Sequence, residues 1–439
     1  MNTSPANTET TTAPNPTTSP VAFVAIDWAD QKHDMVLLPA GSQTKEPITV
    51  EHTPEALSDW VAQLYRRFPE GKIAVIREQS RGALLYALLP HERLELYPIN
   101  PKTSAKFREA FYSSGAKDDP LDADLMLDIL LHHRDRLKAW QPDDAITRQL
   151  QLLVEARRRF VADQVRLTNR LRSTLKSYFP QAVDLAGENL SSPMACALVQ
   201  KWPTLEAAQK TRPHLLRKFY YGHQCRSEDL IQQRLQLLAR AKPLTTDAPV
   251  VTAQSLLAQC IARELATLPA ILAEFDHRIA RLFAQHADYA IWDSFPGAGP
   301  ALAPRLAAAW GSQRDRFPDN QAMSCYSGIA PVKAASGKSV WIHMRWACPK
   351  FVRQTFYEMA QASLAFCAWA QCYLQQQIER GKGRHAAIRA LAFKWQRIMW
   401  RCWQNHTPYD DAEYVASLKR NGSALYARLS AAPAQAKCE

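Results

Sequence analysis

Short apolar runs separated by polar turns dominate the first part of the chain. The run VAFVAID, from Val21 to Asp27, is almost continuously apolar and ends in an acid, which predicts a buried strand with Asp27 at its carboxyl end. Further strands are predicted at His33–Leu38, Ile48–His52, Lys72–Arg77 and Leu94–Ile99. Helical patterns lie at Pro54–Arg67, Arg81–Leu89 and Pro101–Ala110. Three strands followed by alternating helix and strand predict an α/β domain with a mixed sheet over residues 21–140.

A second pattern of hydrophobic and polar residues, typical of long helices, begins near Asp144. Apolar residues recur at a rough seven-residue spacing from Ile146 to Leu171, and with strict four-three spacing from Ile261 to Leu282. These stretches predict two arms of a coiled coil that joins copies of the chain, in a helical region over residues 141–285. Pro269 predicts a kink in the second arm. The segment between the arms, residues 180–249, carries Pro, Gly and mixed charge and receives no assignment.

The two ends of the chain differ from its middle. Residues 1–20 are mostly Thr, Pro, Asn and Ser and cannot bury enough apolar surface to become ordered, so a disordered tail is predicted. From about Asp293 the turn PGAGP opens a stretch rich in Lys, Arg and Trp, which predicts a separate, mostly helical domain over residues 286–410. Residues 411–439 are interpreted as a second tail.

Composition narrows the class of partner. The chain carries 54 Lys and Arg against 42 Asp and Glu, a net charge of +12, which favours a polyanionic partner such as DNA. It has neither a run of about eighteen apolar residues nor a signal-peptide pattern, so a cytoplasmic protein without a membrane partner is expected. Nine cysteines without a Cys-x-x-Cys pair predict reduced thiols rather than a zinc ribbon or disulfides.

Four acids stand where predicted elements end or begin. Asp27 ends the first strand, Glu78 follows the strand KIAVIR, and Asp119 and Asp122 share one face at the start of a helix in GAKDDPLDADLMLDILL. The order of elements is the one found in ribonuclease-H-like domains, in which such acids converge. Grouped carboxylates repel one another without hard cations, so two Mg²⁺ ions are predicted there, able to activate a nucleophile and stabilise a leaving oxygen. Taken singly, each acid also fits a strand-end turn or a helix cap.

Basic and aromatic residues dominate the last third. Five basic residues and no acid lie from Lys333 to Arg353, and seven and no acid from Arg380 to Arg401. Among or beside them stand Trp341, Trp346, Trp395, Trp400 and Trp403. This mixture suits phosphate contact and base stacking, and the Trp residues fit a core equally well. Arginines also crowd the first coiled-coil arm, and the PGAGP turn is similar to a helix-hairpin-helix turn. The predicted nucleic-acid contacts are Arg157, Arg158, Arg159, Arg166, Arg170, Gly297, Gly299, Lys333, Lys338, Arg345, Arg353 and Arg384.

Several stretches resemble the insertion-sequence-110 family of transposases, which includes the Piv-type DNA invertases. They are VAIDWADQKHD, AVIREQS, YPINPKTSAKFREAFYSSGAKDDPLDADL, FPGAGPALAPRLAAAWGSQRDRF and YSGIAPVKAASGK, in the family's order and over nearly all of residues 20–410. The resemblance implies a RuvC-like N-terminal domain with an Asp-Glu-Asp-Asp cluster, carried over as Asp27, Glu78, Asp119 and Asp122. The segment KDDPLDAD also contains Asp118 and Asp124. The family spacing, Asp-x-x-Asp followed by Ala, selects Asp119 and Asp122.

The resemblance also assigns a role to Ser336, which lies in a predicted loop between Lys333 and Lys338. Ser-Gly alone is typical of a structural turn. In the family a serine in such a loop is the nucleophile that joins covalently to DNA. This chain departs from the usual two serines and two glycines before the lysine, which leaves Ser339 as a weaker alternative.

The implied partners are donor and target DNA, a non-coding bridge RNA that pairs with both, and further copies of the chain, as a dimer or a tetramer. The expected place of action is the bacterial cytoplasm, at the nucleoid. Two other functions stay open from the residues. One is a Holliday-junction-type, structure-specific nuclease that uses the four acids without a covalent intermediate. The other is a nucleic-acid-binding protein with an inactive site.

Overall fold

The computed structural model describes residues 19–78, 82–111, 119–337 and 339–431, without the side chains of Asp119 and Pro120. Nearly all of the tail predicted at residues 1–20 lies outside this part of the chain. The chain divides into two compact units, Met1–Pro142 and Asp143–Glu439.

The first unit is a mixed α/β domain. Its described elements, in chain order, are β1 Ala22–Asp27, β2 Lys32–Pro39, β3 Glu46–Glu51, α1 Pro54–Arg67, β4 Ile73–Glu78, α2 Ala83–Leu88, β5 Leu94–Ile99, α3 Pro101–Phe111 and α4 Asp119–His133, followed by a 3-10 turn at Arg134–Arg136. The sheet order is β3-β2-β1-β4-β5. Strands β1, β2 and β3 pair antiparallel, whereas β4 is parallel to β1 and β5 is parallel to β4. The predicted strands and helices of this domain are confirmed, with ends that differ by at most two residues.

Alternation along the strands gives this sheet two apolar faces. Val24, Ile26 and Val75 point to one face, where they pack with α1 and α2. Ala25 and Ile76 point to the other face, where they pack against α4. Helix α4 presents to them an apolar stripe at helical spacing, formed by Ala123, Met126, Leu127 and Leu130. Successive residues of a strand therefore point to opposite faces of the sheet and pack against different helices.

The second unit is helical except for one hairpin in its described residues. Its helices are α5 Ala145–Tyr178, α6 Gln181–Ala186, α7 Pro193–Lys201, α8 Leu205–Gln209, α9 Pro213–Gly222, α10 Glu228–Arg240, α11 Ala248–Phe283, α12 Tyr289–Asp293, α13 Gly299–Trp310, α14 Asn320–Ser327, α15 Lys350–Ala362, α16 Ala368–Glu379, α17 Arg384–Gln404, α18 Asp411–Arg420 and α19 Ala424–Ala431. Short 3-10 turns lie at Arg314–Arg316 and Ser363–Ala365. Strands β6 Val332–Ser336 and β7 Ser339–His343 form the hairpin.

The two predicted coiled-coil arms are the long helices α5 and α11, which pack against each other within the chain. Phe160 and Phe275 meet in the middle of the pair, with ring centroids 5.5 Å apart. Helix α11 continues through Pro269 as one helix. It is also the one described helix long and apolar enough to cross a membrane, a test that the core helix of a soluble protein passes as well.

Two cores hold the second unit together. One surrounds Leu171 near the C-terminal end of α5 and Leu265 in the middle of α11, and it takes in helices α6 to α10, which fill the segment left unassigned by the sequence pattern. The other joins Leu150 and Ile279, from the opposite ends of the same helices, to α12 through α19. Because this core spans the predicted boundary at residue 285, the coiled-coil and C-terminal regions form one unit.

The second predicted tail, residues 411–439, is helical over part of its length. Residues 411–431 form α18 and α19, whose Leu418 and Leu425 are buried in the second of these cores. Charged and small residues separate the large apolar ones, so the segment resembles a tail in sequence. Residues 432–439 lie outside the described part of the chain.

Candidate active site

Asp27 and Glu78 lie side by side at the carboxyl ends of two parallel strands. The register of β1 and β4 pairs Ile26 with Arg77, and the two acids are the next residues of each strand. By alternation, both acids share the sheet face of Ala25 that α4 covers. Sequence reasoning predicted this convergence, and the sheet order explains it, because no strand lies between β1 and β4.

Asp122 approaches the same place from α4. Its side chain is buried and forms an ion pair with Arg108 of α3. Asp27, Glu78 and Asp122 line one cleft of about 400 Å³, together with Trp28, Ala29, Pro101, Ala105 and Arg108. Three of the four predicted acids therefore share one cleft.

Helix α3 supplies two cleft residues that sequence reasoning missed. Ser104 donates its hydroxyl hydrogen bond to Glu78, and Arg108, one helical turn later, pairs with Asp122. Ser104 also donates to the carbonyl of Pro101 at 3.0 Å, which fixes its rotamer at the start of the helix. The signal available in the sequence was the four-residue spacing in SAKFR, which places both side chains on one face of α3.

A further acid, Asp34, also adds negative charge to this end of the sheet. Asp34 of β2 is directly opposite Asp27 in the antiparallel register, so both side chains project from the same face. The hydroxyl of Thr49 donates to its carboxylate at 2.9 Å. Like charges at such a position destabilise a sheet unless a cation balances them.

The other face of the sheet carries a buried guanidinium and a buried imidazole instead. Arg77, one residue before Glu78, is buried there, and burial lowers the pKa of its guanidinium to about 10. Burial, together with the nearby His52 and Arg77, lowers the pKa of His33 to about 4. His33 Nε2 lies 2.9 Å from His52 Nδ1, so the pair shares one hydrogen bond. Alternation thus separates the acidic cleft from a basic core one residue away.

The cleft offers the type of ligand atom that a hard divalent cation binds. Carboxylate oxygens are the ligands that Mg²⁺ prefers, and Asp27, Glu78 and Asp122 present them to one space. Within the described residues, no three His, Cys, Asp or Glu side chains are close enough together to hold an ion. The side chain of Asp119, the fourth predicted ligand, lies outside that part, although its backbone begins α4 three residues before Asp122.

The structure bears on the alternative acids Asp118 and Asp124 through their positions relative to the cleft. Asp124 forms an ion pair with Lys45 at 2.6 Å, away from the cleft lining. Asp118 lies outside the described residues. The structure therefore favours Asp122 over Asp124 as the acid that faces the cleft.

Ser336 lies at the end of a strand rather than in the predicted loop. It is the last residue of β6, pairs in register with Ser339 of β7, and is exposed. Only residues 337 and 338 connect the strands, and Gly337 adopts φ +55°, a conformation typical of tight hairpin turns. The predicted contact Lys338 lies outside the described residues, whereas Lys333 is exposed on β6.

The predicted nucleic-acid contacts on α5 divide into two groups. Arg157 is bound by Asp276 of α11, at 2.5 and 3.0 Å, Arg158 contacts Gln354, and Arg166 pairs with Asp163. Arg159 and Arg170 are exposed. Part of the one-sided charge of the first arm is thus balanced by the helix packed against it, which a single segment of sequence does not reveal.

The tryptophans of the last third also divide into two groups. Trp395 and Trp403 are buried in the core, and Trp400 is half-buried and donates its indole N–H to the carbonyl of Phe317 at 2.9 Å. For these three residues the core interpretation is confirmed. Trp341 and Trp346 are 62% and 73% exposed.

The remaining predicted contacts have mixed surroundings. Gly297 has φ +84°, and a Cβ there would lie 2.7 Å from the backbone of Ala362, so close packing alone requires a glycine. Gly299 faces open space. Arg345 is half-buried, and its carbonyl accepts a hydrogen bond from Arg353 at 3.2 Å. Arg384 is exposed at the first turn of α17.

Comparison with known proteins gives consistent matches along the chain. Residues 24–180 match the transposase family DEDD_Tnp_IS110, and residues 289–375 match the transposase IS116/IS110/IS902 family. The mini-circle putative transposase for IS117 of Streptomyces coelicolor is 28% identical over 90% of this chain and 97% of its own length. An uncharacterized 44.8 kDa protein of insertion element IS116 from Streptomyces clavuligerus is 24% identical over 86% of this chain and 93% of its own. An uncharacterized 42 kDa protein of IS900 from Mycobacterium paratuberculosis is 23% identical over 90% and 98%.

Proposed function

The chain belongs to the IS110 family of transposases, and from that premise we propose that it cuts and rejoins DNA with the carboxylates of its first unit and Ser336 of its second. The observation that carries the proposal is the cleft at the ends of β1 and β4, which Asp27, Glu78 and Asp122 line together. The sheet order supports a ribonuclease-H-like, RuvC-like architecture for the first unit, because this order places the two strand-end acids side by side.

In this proposal Asp27, Glu78, Asp119 and Asp122 hold two Mg²⁺ ions. Bound there, the ions would neutralise the charge that develops on phosphate oxygens during strand transfer. Ser104 orients the carboxylate of Glu78, and Arg108 balances the charge of Asp122. The cleft that these side chains line has a volume of about 400 Å³.

Ser336 carries the covalent step. Its Oγ forms a bond to a phosphorus of the DNA strand while the bond from that phosphorus to the departing strand oxygen breaks. The hydroxyl proton passes to a base, and the departing oxygen takes up a proton, so the number of phosphate ester bonds is unchanged. Rejoining reverses the exchange with a different strand oxygen, and no external energy source is needed.

The family supports the rest of the assembly. Donor and target DNA would be selected by a bridge RNA, a role that rests on the family resemblance alone. The chain would act as a dimer or tetramer, a state that rests on the family resemblance as well. The place of action would be the nucleoid in the bacterial cytoplasm.

Substitution of the strand-end acid tests the metal-dependent part. With Mg²⁺, labelled donor and target DNA and the RNA from the element's flanking non-coding region, Asp27→Asn should lower strand cleavage by about a hundredfold or more, because a cation ligand contributes several kcal/mol to the transition state. The substitution keeps the size of the side chain, so the circular dichroism spectrum should be unchanged.

Asp128→Asn is the matched control, since Asp128 is a half-buried acid on α4 that pairs with Lys45 outside the cleft. This variant should cleave like the unmodified protein. Normal cleavage by Asp27→Asn, or equal losses in both variants, would overturn the assignment of the cleft.

A further inference from the structure

The β6–β7 hairpin exposes large apolar side chains beside the proposed nucleophile. Val340, Trp341 and Ile342 of β7 are all more than half exposed, and Trp346 follows them. A two-stranded hairpin is marginally stable by itself, and an exposed apolar cluster marks a binding surface. The hairpin therefore needs a partner that covers these side chains.

The register of the hairpin sorts these side chains by face. Ser336 pairs with Ser339, Ala334 with Trp341 and Val332 with His343, so these side chains project from one face. The rings of Trp341 and His343 lie 5.9 Å apart on that face. Ile342 and Val340 project from the opposite face. Trp341 thus shares a face with Ser336, two positions along the hairpin, or roughly 7 Å.

The charge around the hairpin selects the partner. No acid lies from Lys333 to Arg353, whereas five basic residues do. Lys333 is exposed on β6, on the face of its register partner Ile342. An apolar ring among unbalanced positive charges suits a polyanion that also offers a flat apolar surface. Unpaired nucleic-acid bases have this combination, because each base presents a π-face next to a phosphate.

We propose that Trp341 stacks on an unpaired DNA base one or two nucleotides from the phosphate that Ser336 attacks. The roughly 7 Å offset along the strand corresponds to about two stacked bases, which are 3.4 Å apart. Stacking would hold the strand so that its phosphate lies over the serine hydroxyl. Trp341 is then a positioning residue of the hairpin, and this inference rests on the proposed role of Ser336.

Binding measured without chemistry tests the stacking. All variants are made in a Ser336→Ala background, and their affinity is measured for fluorescent oligo(dT) and for a strand of equal length built from abasic sites. Salt is raised until the abasic strand binds weakly, so that phosphate contacts contribute little. Trp341→Ala should weaken oligo(dT) binding about tenfold, Trp341→Phe should retain most of the affinity, and neither should alter binding of the abasic strand.

Ile342→Ala is the matched control, because Ile342 is equally exposed, at 68%, and projects from the other face. It should change oligo(dT) affinity less than twofold. Equal weakening by Ile342→Ala, equal weakening for the abasic strand, or no effect of Trp341→Ala would each overturn the stacking and would indicate a protein partner or a passive surface. Because Ser336 is absent from these proteins, a negative result leaves the covalent role of Ser336 intact. Failure of Ser336 to form an adduct likewise leaves the binding result standing.

Discussion

Arg108 is the residue whose ion pair a cation in the cleft would affect most directly. Its guanidinium pairs with the carboxylate of Asp122, which is buried, and it lines the same space as Asp27 and Glu78. Removing one partner of such a pair leaves an unbalanced buried charge. A divalent ion that binds Asp122 would have to compete with this guanidinium.

Arg108→Gln should therefore reduce stability without Mg²⁺ and increase the stabilisation that Mg²⁺ brings. In EDTA the free energy of unfolding of the first unit should fall by about 1 to 3 kcal/mol, because Asp122 loses its counter-charge. Added Mg²⁺ should restore more stability to the variant than it adds to the unmodified protein, because no guanidinium competes. Urea denaturation with and without Mg²⁺ measures both effects.

Lys106→Gln provides the control on the same helix, since Lys106 is exposed and does not line the cleft. Its stability should respond to Mg²⁺ as the unmodified protein does. An equal Mg²⁺ response in all three proteins would mean that Asp122 does not face the bound ion.

At this scale the sequence predicted acids better than their partners. Asp27, Glu78 and Asp122 were predicted because the ends of apolar runs and a helix start mark their places. Ser104 and Arg108 were not, because a Ser and an Arg in a polar helix are usual surface residues, and only the packing of α3 brings them to the acids. For the same reason the sequence did not reveal that Arg157 is paired within the protein, since its partner Asp276 belongs to another helix.

Among the elements, the turn before α13 distinguishes a structural role from nucleic-acid contact. Gly297 and Gly299 both have positive φ, of +84° and +51°. A Cβ at Gly297 would meet the backbone of Ala362 and Ser363 at 2.7 to 2.9 Å, whereas one at Gly299 would meet open space. The two glycines of PGAGP are thus alike in sequence and different in their surroundings.

Alanine substitutions at these two glycines should therefore lower the free energy of unfolding by different amounts. Gly299→Ala should cost about 1 to 2 kcal/mol of unfolding free energy, the strain of a left-handed conformation. Gly297→Ala should cost about 2 to 4 kcal/mol, because overpacking adds to the same strain. Guanidinium denaturation of the two variants makes the comparison, and equal losses would show that Ala362 does not constrain the turn.

The hairpin is one of the elements that the sequence pattern did not predict. VKAAS and SVWIH are short, and the first is rich in Ala, Ser and Lys, which are poor strand formers, so the segment resembles a loop. The five strands of the first unit were predicted because each is an apolar run that the sheet buries. The helical pattern of α5 and α11 was likewise clear, although it does not tell whether the two arms pack within one chain or between chains.

Across the whole molecule, the residues of the proposed chemistry are divided between two compact units. The carboxylates belong to Met1–Pro142 and Ser336 to Asp143–Glu439. The domain boundary near residue 140 was predicted from the change of pattern, whereas the boundary at 285 was not supported, because the long helices share a core with the C-terminal helices. A core assembled from distant segments leaves no local mark in a sequence.

The net charge of +12 and the exposed basic residues of the second unit fit a protein that holds DNA while both groups act on it. The central claim is that Ser336 joins covalently to that DNA. The most direct test mixes the protein with labelled donor and target DNA, Mg²⁺ and the RNA from the element's flanking non-coding region, and measures label on the denatured protein.

The account predicts a labelled adduct that Ser336→Ala abolishes, that Ser339→Ala retains and that EDTA prevents. DNA cleaved without any adduct, or an adduct that persists in Ser336→Ala, would contradict it; the first result would instead indicate a hydrolytic junction nuclease.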